Sequence, residues 1–262
     1  MNYNIIEKTP FKTIVFDFDG TLAQLNIDFS NMHRCVIDLI AGFDVNPGGL
    51  ENLFVLEMIE AGRKLIALSH PGQETVFLKN AYELIRNIEI EGAKRGKLFD
   101  GTEEMMNELK THNIKIGVVT RNCIDAVKIL CPRIEDFCGA VITREATRKV
   151  KPNPEQLKIA LKELDADPAH TAMVGDHPMD ISTGKDVGTY TIGVLTGYAD
   201  ENLLRKAGAD IILDNATKVT ELISRQGKAK ILTTGIYWIF RGLKFEPDAE
   251  IGQKGTLCKG LD

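Results

Sequence analysis

The chain has 262 residues and a mass of 29.0 kDa, enough for one large domain or for a core domain with a smaller insert. Hydrophobic residues make up 44% and charged residues 26%, which excludes wholesale disorder. The formal net charge of -5 gives the surface no electrostatic reason to bind nucleic acid or anionic lipid. No apolar run is long enough to cross a bilayer, and the five cysteines contain no C-x-x-C pair. We therefore expect a cytoplasmic protein with reduced thiols and no membrane span.

Six short runs rich in Val and Ile predict strands that are buried on both faces. The runs are residues 13–16, 114–119, 140–142, 172–174, 190–194 and 211–213. Helical signals lie between the later runs, where Thr102 is expected to cap one helix and Asn153 with Pro154 to start another. This alternation predicts an α/β fold, with a Rossmann-like parallel sheet flanked by helices.

Between the first two runs, the chain shows only helical periods. Apolar residues recur in three stripes, separated by turn-forming residues at 44–49 and 70–72. The stripes are Phe29, Met32, Val36, Leu39 and Phe43; Phe54, Met58, Ala61, Leu65 and Leu68; and Phe77, Ala81, Leu84 and Ile88. A crossover connection needs far fewer residues. The predicted organisation is a core at 1–23 and 95–224, a small helical cap at 24–94 and a C-terminal extension at 225–262.

The extension contains an aliphatic and aromatic run at 231–245 that includes the only tryptophan, Trp238. We interpret this run as a segment that packs on the core or at the contact of a homodimer. The alternative is attachment to a membrane surface, with Arg241 and Lys244 near the lipid headgroups.

Two segments that follow predicted strands carry paired aspartates. Asp17 and Asp19 lie two residues apart, so alternation places both on the same side of an extended chain. Asp176 follows a glycine, and Asp180 should lie in the first turn of a helix that begins near Pro178. Each pair by itself could be a helix cap, so only the combination is informative.

Two further segments could bind an anion. Thr120, Arg121 and Asn122 follow a buried strand, where a hydroxyl and backbone N–H groups can hold a phosphate oxygen. Lys151 stands just before Pro152, where alone it would be an ordinary surface charge.

The carboxyl edge of a parallel sheet should bring these segments together. Four aspartates and one lysine then carry a formal charge of -4 + 1 = -3. Two like charges ~4 Å apart cost roughly 4 kcal/mol even at an effective dielectric of 20. Such a cluster either binds protons or holds a hard divalent cation, and its oxygen ligands favour Mg²⁺ over zinc.

In this order, the segments resemble the four motifs of the haloacid dehalogenase-like superfamily. The matching residues are D-F-D-G-T-L at 17–22, Thr120, Lys151-Pro152 and G-D-x-x-x-D at 175–180. The resemblance covers about residues 11–224, and the inserted helices are similar to the helical cap of that family. Residues 193–197 and 207–210 make the chain most similar to the phosphoglycolate phosphatase-like branch.

The resemblance implies a role for each residue. Asp17 would be the nucleophile, and Asp19 would act as acid and then as base. Mg²⁺ would be held by Asp17, Asp176 and the backbone carbonyl of Asp19. The other residues would serve the phosphate: Thr120 and Lys151 as ligands of its oxygens, Arg121 and Asn122 through their backbone amides, and Asp180 by orienting Lys151 or a metal-bound water.

Two side chains next to these motifs carry no expected chemistry. Arg121 departs from the small or amide side chain of the family pattern, and we expect it to point to solvent. His177 is expected to be a turn residue rather than an acid or base.

The implied reaction is Mg²⁺-dependent hydrolysis of a small phosphorylated metabolite, either phosphoglycolate-like or a sugar phosphate. Asp19 argues against carbon–halogen and phosphonate substrates, which do not need it. The alternatives are a phosphosugar mutase of the same superfamily and a non-catalytic interaction protein. The candidates for reading the substrate are four basic cap residues, Arg34, Arg63, Lys64 and Arg86.

Overall fold

A six-stranded parallel sheet organises the chain, in a computed structural model that describes the backbone of residues 11–228 and the side chains of residues 11–223. Its strand order is β5-β4-β1-β6-β7-β8. The strands are β1 (Thr13–Phe16), β4 (Lys115–Val119), β5 (Ala140–Ile142), β6 (Thr171–Gly175), β7 (Tyr190–Val194) and β8 (Ile211–Leu213). The predicted α/β fold class is confirmed, and the six predicted strands agree with these to within one residue at each end.

Helices cover both faces of the sheet, which explains why its strands are continuous apolar runs. All four residues of β1 are buried. Ile14 and Phe16 belong to the hydrophobic cluster on one face, and Val15 belongs to the cluster on the other. In the part of the chain that the structure describes, the α-helices outside the cap are α4 (Thr102–Thr111), α5 (Ile124–Leu130), α6 (Ile134–Phe137), α7 (Glu155–Glu163), α8 (Pro178–Val187), α9 (Glu201–Ala207) and α10 (Val219–Lys228).

Three helices follow the first motif, as the sequence predicts: α1 (Phe29–Ala41), α2 (Val55–Ser69) and α3 (Glu74–Lys94). We call them the cap helices. They lie between two short antiparallel strands, β2 (Ala23–Gln24) and β3 (Lys97–Leu98), and share a hydrophobic cluster of their own. The bounds proposed for core, cap and extension stay a prediction.

The buried face of α2 is rotated by about one residue from the predicted stripe. Met58, Ile59 and Ile66 are buried, whereas Phe54 and Leu68 are 51% and 81% exposed. Gly62 explains the offset, because a Cβ there would lie 2.7 Å from Cδ1 of Ile40. The helices therefore approach each other at the glycine, which the apolar pattern does not mark.

Two helix starts also differ from their predicted form. Gly101, with φ +83°, precedes α4, so Thr102 is not the cap. The Thr102 hydroxyl donates instead to the carbonyl of Leu22 at 3.0 Å. Helix α7 begins at Glu155, and Asn153 accepts the Glu155 N–H from just before the helix.

In the described part of the chain, no helix has the length and apolar character that a membrane crossing requires. The aromatic run at 231–245 lies outside the described residues, so its interpretation stays a prediction.

Candidate active site

Three neighbouring strands at the centre of the sheet end at the candidate site. Phe16, the last residue of β1, pairs with Val118 of β4 on one side and with Val174 of β6 on the other. Asp17, Thr120 and Asp176 therefore leave the sheet side by side at its carboxyl edge. This is the edge at which ligands bind in open parallel sheets.

Lys151 lies at the centre of the site, although it is remote in sequence from its partners. Its side chain is buried, with Nζ 2.5 Å from Oδ1 of Asp17 and 2.7 Å from Oδ1 of Asp180. Burial would lower the pKa of Lys151, but the two carboxylates outweigh it and raise that pKa. The ammonium group is therefore charged and held between two aspartates.

The residues fit a hard divalent cation. Carboxylate oxygens of Asp17, Asp176 and Asp180 lie within 4.8 Å of one another, and these three charges with Lys151 sum to -3 + 1 = -2. Oxygen-only donors of this kind suit Mg²⁺. The carboxylate of Asp19 does not belong to this trio, since it accepts the N–H of Leu25 at 2.8 Å. Of the predicted metal ligands, Asp17 and Asp176 therefore have their carboxylates close together. The third carboxylate of the group comes from Asp180 and not from Asp19.

Asp176 is held in place by donors on both oxygens. The Thr21 hydroxyl donates to Oδ1 at 3.1 Å, and the backbone N–H of Tyr198 donates to Oδ2 at 2.7 Å. Two glycines let the backbone approach this carboxylate. A Cβ would lie 2.5 Å from it at Gly20 and 2.1 Å from it at Gly197. These donors and glycines therefore fix the orientation of the Asp176 carboxylate.

Burial makes the carboxylates weak acids. It raises the pKa of Asp17 to about 6, against the opposing effect of Lys151, and the pKa of Asp176 to about 6. It raises the pKa of Asp19 to about 7, and the Leu25 N–H opposes that shift. A carboxyl group with a pKa near neutrality can both give and take a proton at physiological pH.

Gln156, which was not predicted from the sequence, links the two anion-binding segments through hydrogen bonds. The side chain is fully buried on α7, and its Nε2 donates to the carbonyl of Thr120 at 2.7 Å. Its Oε1 accepts the backbone N–H of Lys151 at 3.1 Å. Thr120 and Asn122 are buried as well, and the Asn122 N–H donates to the Thr120 hydroxyl at 3.2 Å. The sequence signal that could have revealed Gln156 is a polar residue on the core-facing side of a predicted helix.

The expectation that Arg121 points to solvent is wrong. Its side chain is only 18% exposed, and its two terminal nitrogens donate to the carboxylate of Glu57 on α2 at 2.9 and 2.6 Å. Nη1 also donates to the carbonyl of Lys151. The ring of Phe54 lies beneath the guanidinium, 5.4 Å away. A cap helix therefore supplies the partners that the sequence around Arg121 lacks.

His177 caps α8, and its Nδ1 accepts the N–H of Met179 at 3.1 Å. Burial lowers the pKa of His177 to about 4, with Lys151 and Arg121 adding to the shift. The ring is neutral at physiological pH and lies 4.3 Å from the ring of Tyr198.

The four basic residues proposed to read the substrate have other contacts. Arg63 and Lys64 pair with Glu60 on the same helix. Arg86 pairs with Asp125 of α5, and Arg34 donates to Asn31. Among the described residues, none of the four contacts an aspartate of the site.

Comparisons with known proteins identify the family of this chain. The sequence profile of the haloacid dehalogenase-like hydrolases matches residues 14–194. A haloacid dehalogenase-like hydrolase domain-containing protein of Arabidopsis thaliana is 32% identical over 70% of this chain and 71% of its own length. The N-acetylmuramic acid 6-phosphate phosphatase of Pseudomonas putida is 25% identical over 81% of this chain and 96% of its own. A predicted phosphoglycolate phosphatase of Haemophilus somnus has the same fold, with a TM-score of 0.57 and 17% identity over 82% of this chain and 99% of its own. The chain belongs to the haloacid dehalogenase-like hydrolase family.

Proposed function

We propose that this protein is a Mg²⁺-dependent phosphatase that hydrolyses a small phosphomonoester through an aspartyl-phosphate. The carrying observation is the contact of Asp17 with Lys151 inside a buried trio of carboxylates, with Asp19 two residues further along. The relative from Pseudomonas putida, an N-acetylmuramic acid 6-phosphate phosphatase, supports the same reaction class.

Asp17 and Asp176, with the backbone carbonyl of Asp19, would hold the cation. When bound, Mg²⁺ supplies positive charge that lets an anionic nucleophile approach an anionic phosphate. Lys151 and the Thr120 hydroxyl would bind phosphoryl oxygens, together with the backbone N–H groups of Arg121 and Asn122. Asp180 would keep Lys151 aimed at the phosphate through the contact at 2.7 Å.

In the first step, a carboxylate oxygen of Asp17 attacks phosphorus, and the bond to the ester oxygen breaks. Asp19 gives its proton to the departing alcohol. In the second step, Asp19 takes a proton from water as the water oxygen bonds to phosphorus. The bond to Asp17 then breaks, which releases phosphate and restores the carboxylate. The raised pKa of Asp19 suits both roles.

Phosphate release from a panel of small phosphomonoesters, with Mg²⁺ and then with EDTA, tests the proposal. Hydrolysis that EDTA abolishes is the expected result. Asp17→Asn should lose about a thousandfold or more in kcat, because the amide is a poor nucleophile. The matched control is Asp186→Asn, an exposed aspartate on α8.

Two results would contradict the proposal. An isomerised sugar phosphate in place of free phosphate would identify a phosphosugar mutase. No turnover of any ester in the presence of Mg²⁺ would favour a non-catalytic interaction protein.

A further inference from the structure

The ion pair between Glu57 and Arg121 joins a cap helix to a motif of the candidate site. Both carboxylate oxygens of Glu57 accept from the guanidinium, in the two-point geometry with which arginine binds carboxylates. The pair is partly exposed, with 38% of the Glu57 side chain and 18% of the Arg121 side chain accessible. It therefore lies where a bound molecule can reach it.

Arg121 is adjacent to both residues whose side chains we propose to bind the phosphoryl group. It follows Thr120 directly in the chain, and its Nη1 donates to the carbonyl of Lys151. A negative group on the alcohol part of a phosphate ester would find this guanidinium next to the phosphate. Without Glu57, Arg121 would present a ready site for a carboxylate or a second phosphate.

We propose that Glu57 makes this enzyme selective for phosphomonoesters whose alcohol part carries no negative charge next to the ester oxygen, because its carboxylate occupies the Arg121 guanidinium. A substrate carboxylate would have to displace Glu57 or lie beside it, and two like charges repel each other in a partly dehydrated site. The inference rests on the proposed phosphatase function and narrows its substrate class.

A row of rings that begins at Phe54, beside the Arg121 guanidinium, favours the same substrate class. Phe54 and Tyr198 are 51% and 69% exposed, and His177 lies between them at ring distances of 5.9 and 4.3 Å. An exposed aromatic surface binds the apolar faces of an uncharged alcohol such as a sugar. We therefore expect sugar or polyol phosphates to be better substrates than phosphorylated acids or pyrophosphate.

A matched pair of two-carbon esters tests the inference. 2-Phosphoglycolate and 2-hydroxyethyl phosphate differ only by a carboxylate in place of a hydroxymethyl group. The ratio of kcat/KM for the charged ester to that for the neutral ester is measured with Mg²⁺ on the wild type and on Glu57→Gln. The ratio should rise about tenfold in Glu57→Gln, and adding Arg121→Gln should remove the gain.

Glu60→Gln is the matched control, because Glu60 lies on the same helix and pairs only with basic residues of that helix among the described contacts. It should leave the ratio unchanged. If Glu57→Gln misfolds by circular dichroism, Glu57→Ala replaces it and should shift the ratio in the same direction.

Two failures remain distinguishable. If both esters are hydrolysed and the Glu57→Gln ratio stays within about twofold of the wild-type ratio, this inference is overturned and the phosphatase proposal stands.

If the wild type hydrolyses no ester, the phosphatase proposal fails. Calorimetric Kd values of the two esters on the Mg²⁺-loaded proteins then decide. A ratio of Kd values that Glu57→Gln leaves unchanged overturns the role given to Glu57 as well, whereas a shift toward the charged ester upholds that role for binding but not for catalysis.

Discussion

At the scale of single residues, the site depends on two positions without a Cβ atom, Gly20 and Gly197, as well as on its carboxylates. Asp176 is clamped by Thr21 and by the backbone of Tyr198, and both contacts need bare backbone at Gly20 and Gly197. Gly20 also has a φ of +84°, which a residue with a Cβ rarely adopts. These two glycines therefore belong to the candidate metal site, although they carry no ligand atom.

Gly197→Ala should weaken Mg²⁺ binding and lower the free energy of unfolding by about 1–3 kcal/mol. Its Cβ would lie 2.1 Å from Oδ2 of Asp176 and 2.8 Å from the Cα of Gly20, so a carboxylate and a backbone segment must both move. The Mg²⁺ concentration for half-maximal phosphate release and the midpoint of urea unfolding measure the two effects.

Gly42→Ala serves as its control, because a Cβ at Gly42 meets backbone oxygens no closer than 3.4 Å. That variant should bind Mg²⁺ like the wild type. An unchanged Mg²⁺ dependence in Gly197→Ala would show that close approach at this glycine is not needed.

At the scale of elements, three ion pairs among the described residues join the cap helices to the segments that follow β4 and β5. Glu57–Arg121 and Arg86–Asp125 are at least partly exposed, whereas Glu89–Arg144 is buried, with exposed side-chain fractions of 5% and 3%. Glu89 also accepts the backbone N–H of Cys123 at 3.0 Å, just after the second motif. Helix α3 thus stabilises the loop that we expect to hold the phosphate.

Glu89→Leu should lower the free energy of unfolding by about 3–5 kcal/mol, since it leaves the buried guanidinium of Arg144 without its carboxylate. The double variant Glu89→Leu/Arg144→Met should recover much of that loss, because no unpaired charge then remains. Urea denaturation of the single and double variants measures the difference.

Arg86→Met is the control on the same helix. Its pair with Asp125 is 44% exposed on each side, so we expect a loss of less than about 1 kcal/mol. Equal losses for Glu89→Leu and Arg86→Met would contradict the distinction between buried and exposed pairs.

At the scale of the whole molecule, the crowded carboxylates link folding stability to pH and to the cation. Without metal, the pKa values of Asp17 and Asp176 are about 6 and that of Asp19 is about 7, all raised from the ordinary 3.8 by burial. The folded state therefore holds protons that the unfolded chain has released, so its stability falls as pH rises from about 4 to about 7. His177, with a pKa lowered to about 4 by burial, acts in the opposite direction between about 4 and 6.5.

The combined effect of the three aspartates is larger than the opposing effect of His177. The metal-free protein should therefore unfold at a lower temperature at pH 7.5 than at pH 5.5. Mg²⁺ should raise the unfolding temperature more at pH 7.5, where fewer protons compete for the carboxylates. Thermal melts in EDTA and in Mg²⁺ at the two pH values measure this. Asp176→Asn, which lacks one of the three carboxylates, should show a smaller difference. Equal Mg²⁺ effects at both pH values would contradict the linkage.

The sequence by itself determined the α/β class, the strands and the existence of the inserted helices, because hydrophobic periodicity is a local property of the chain. It also placed three of the four motifs directly after strands β1, β4 and β6, and parallel strands present their carboxyl ends at one edge. The apolar pattern of the sequence does not reveal where a single glycine shifts the buried face of a helix, as at Gly62. It also does not reveal where a polar residue is buried, as at Gln156.

Only the tertiary structure decided which side chains meet. Arg121 finds Glu57 across 64 positions of sequence, and Arg144 finds Glu89 across 55. Such contacts depend on how helices pack on the sheet, and no periodicity in the sequence records that packing. The physical reason is the cost of burying charge. A carboxylate or guanidinium that loses its water must pair with another group in space, and the order of residues along the chain does not say which group lies nearest.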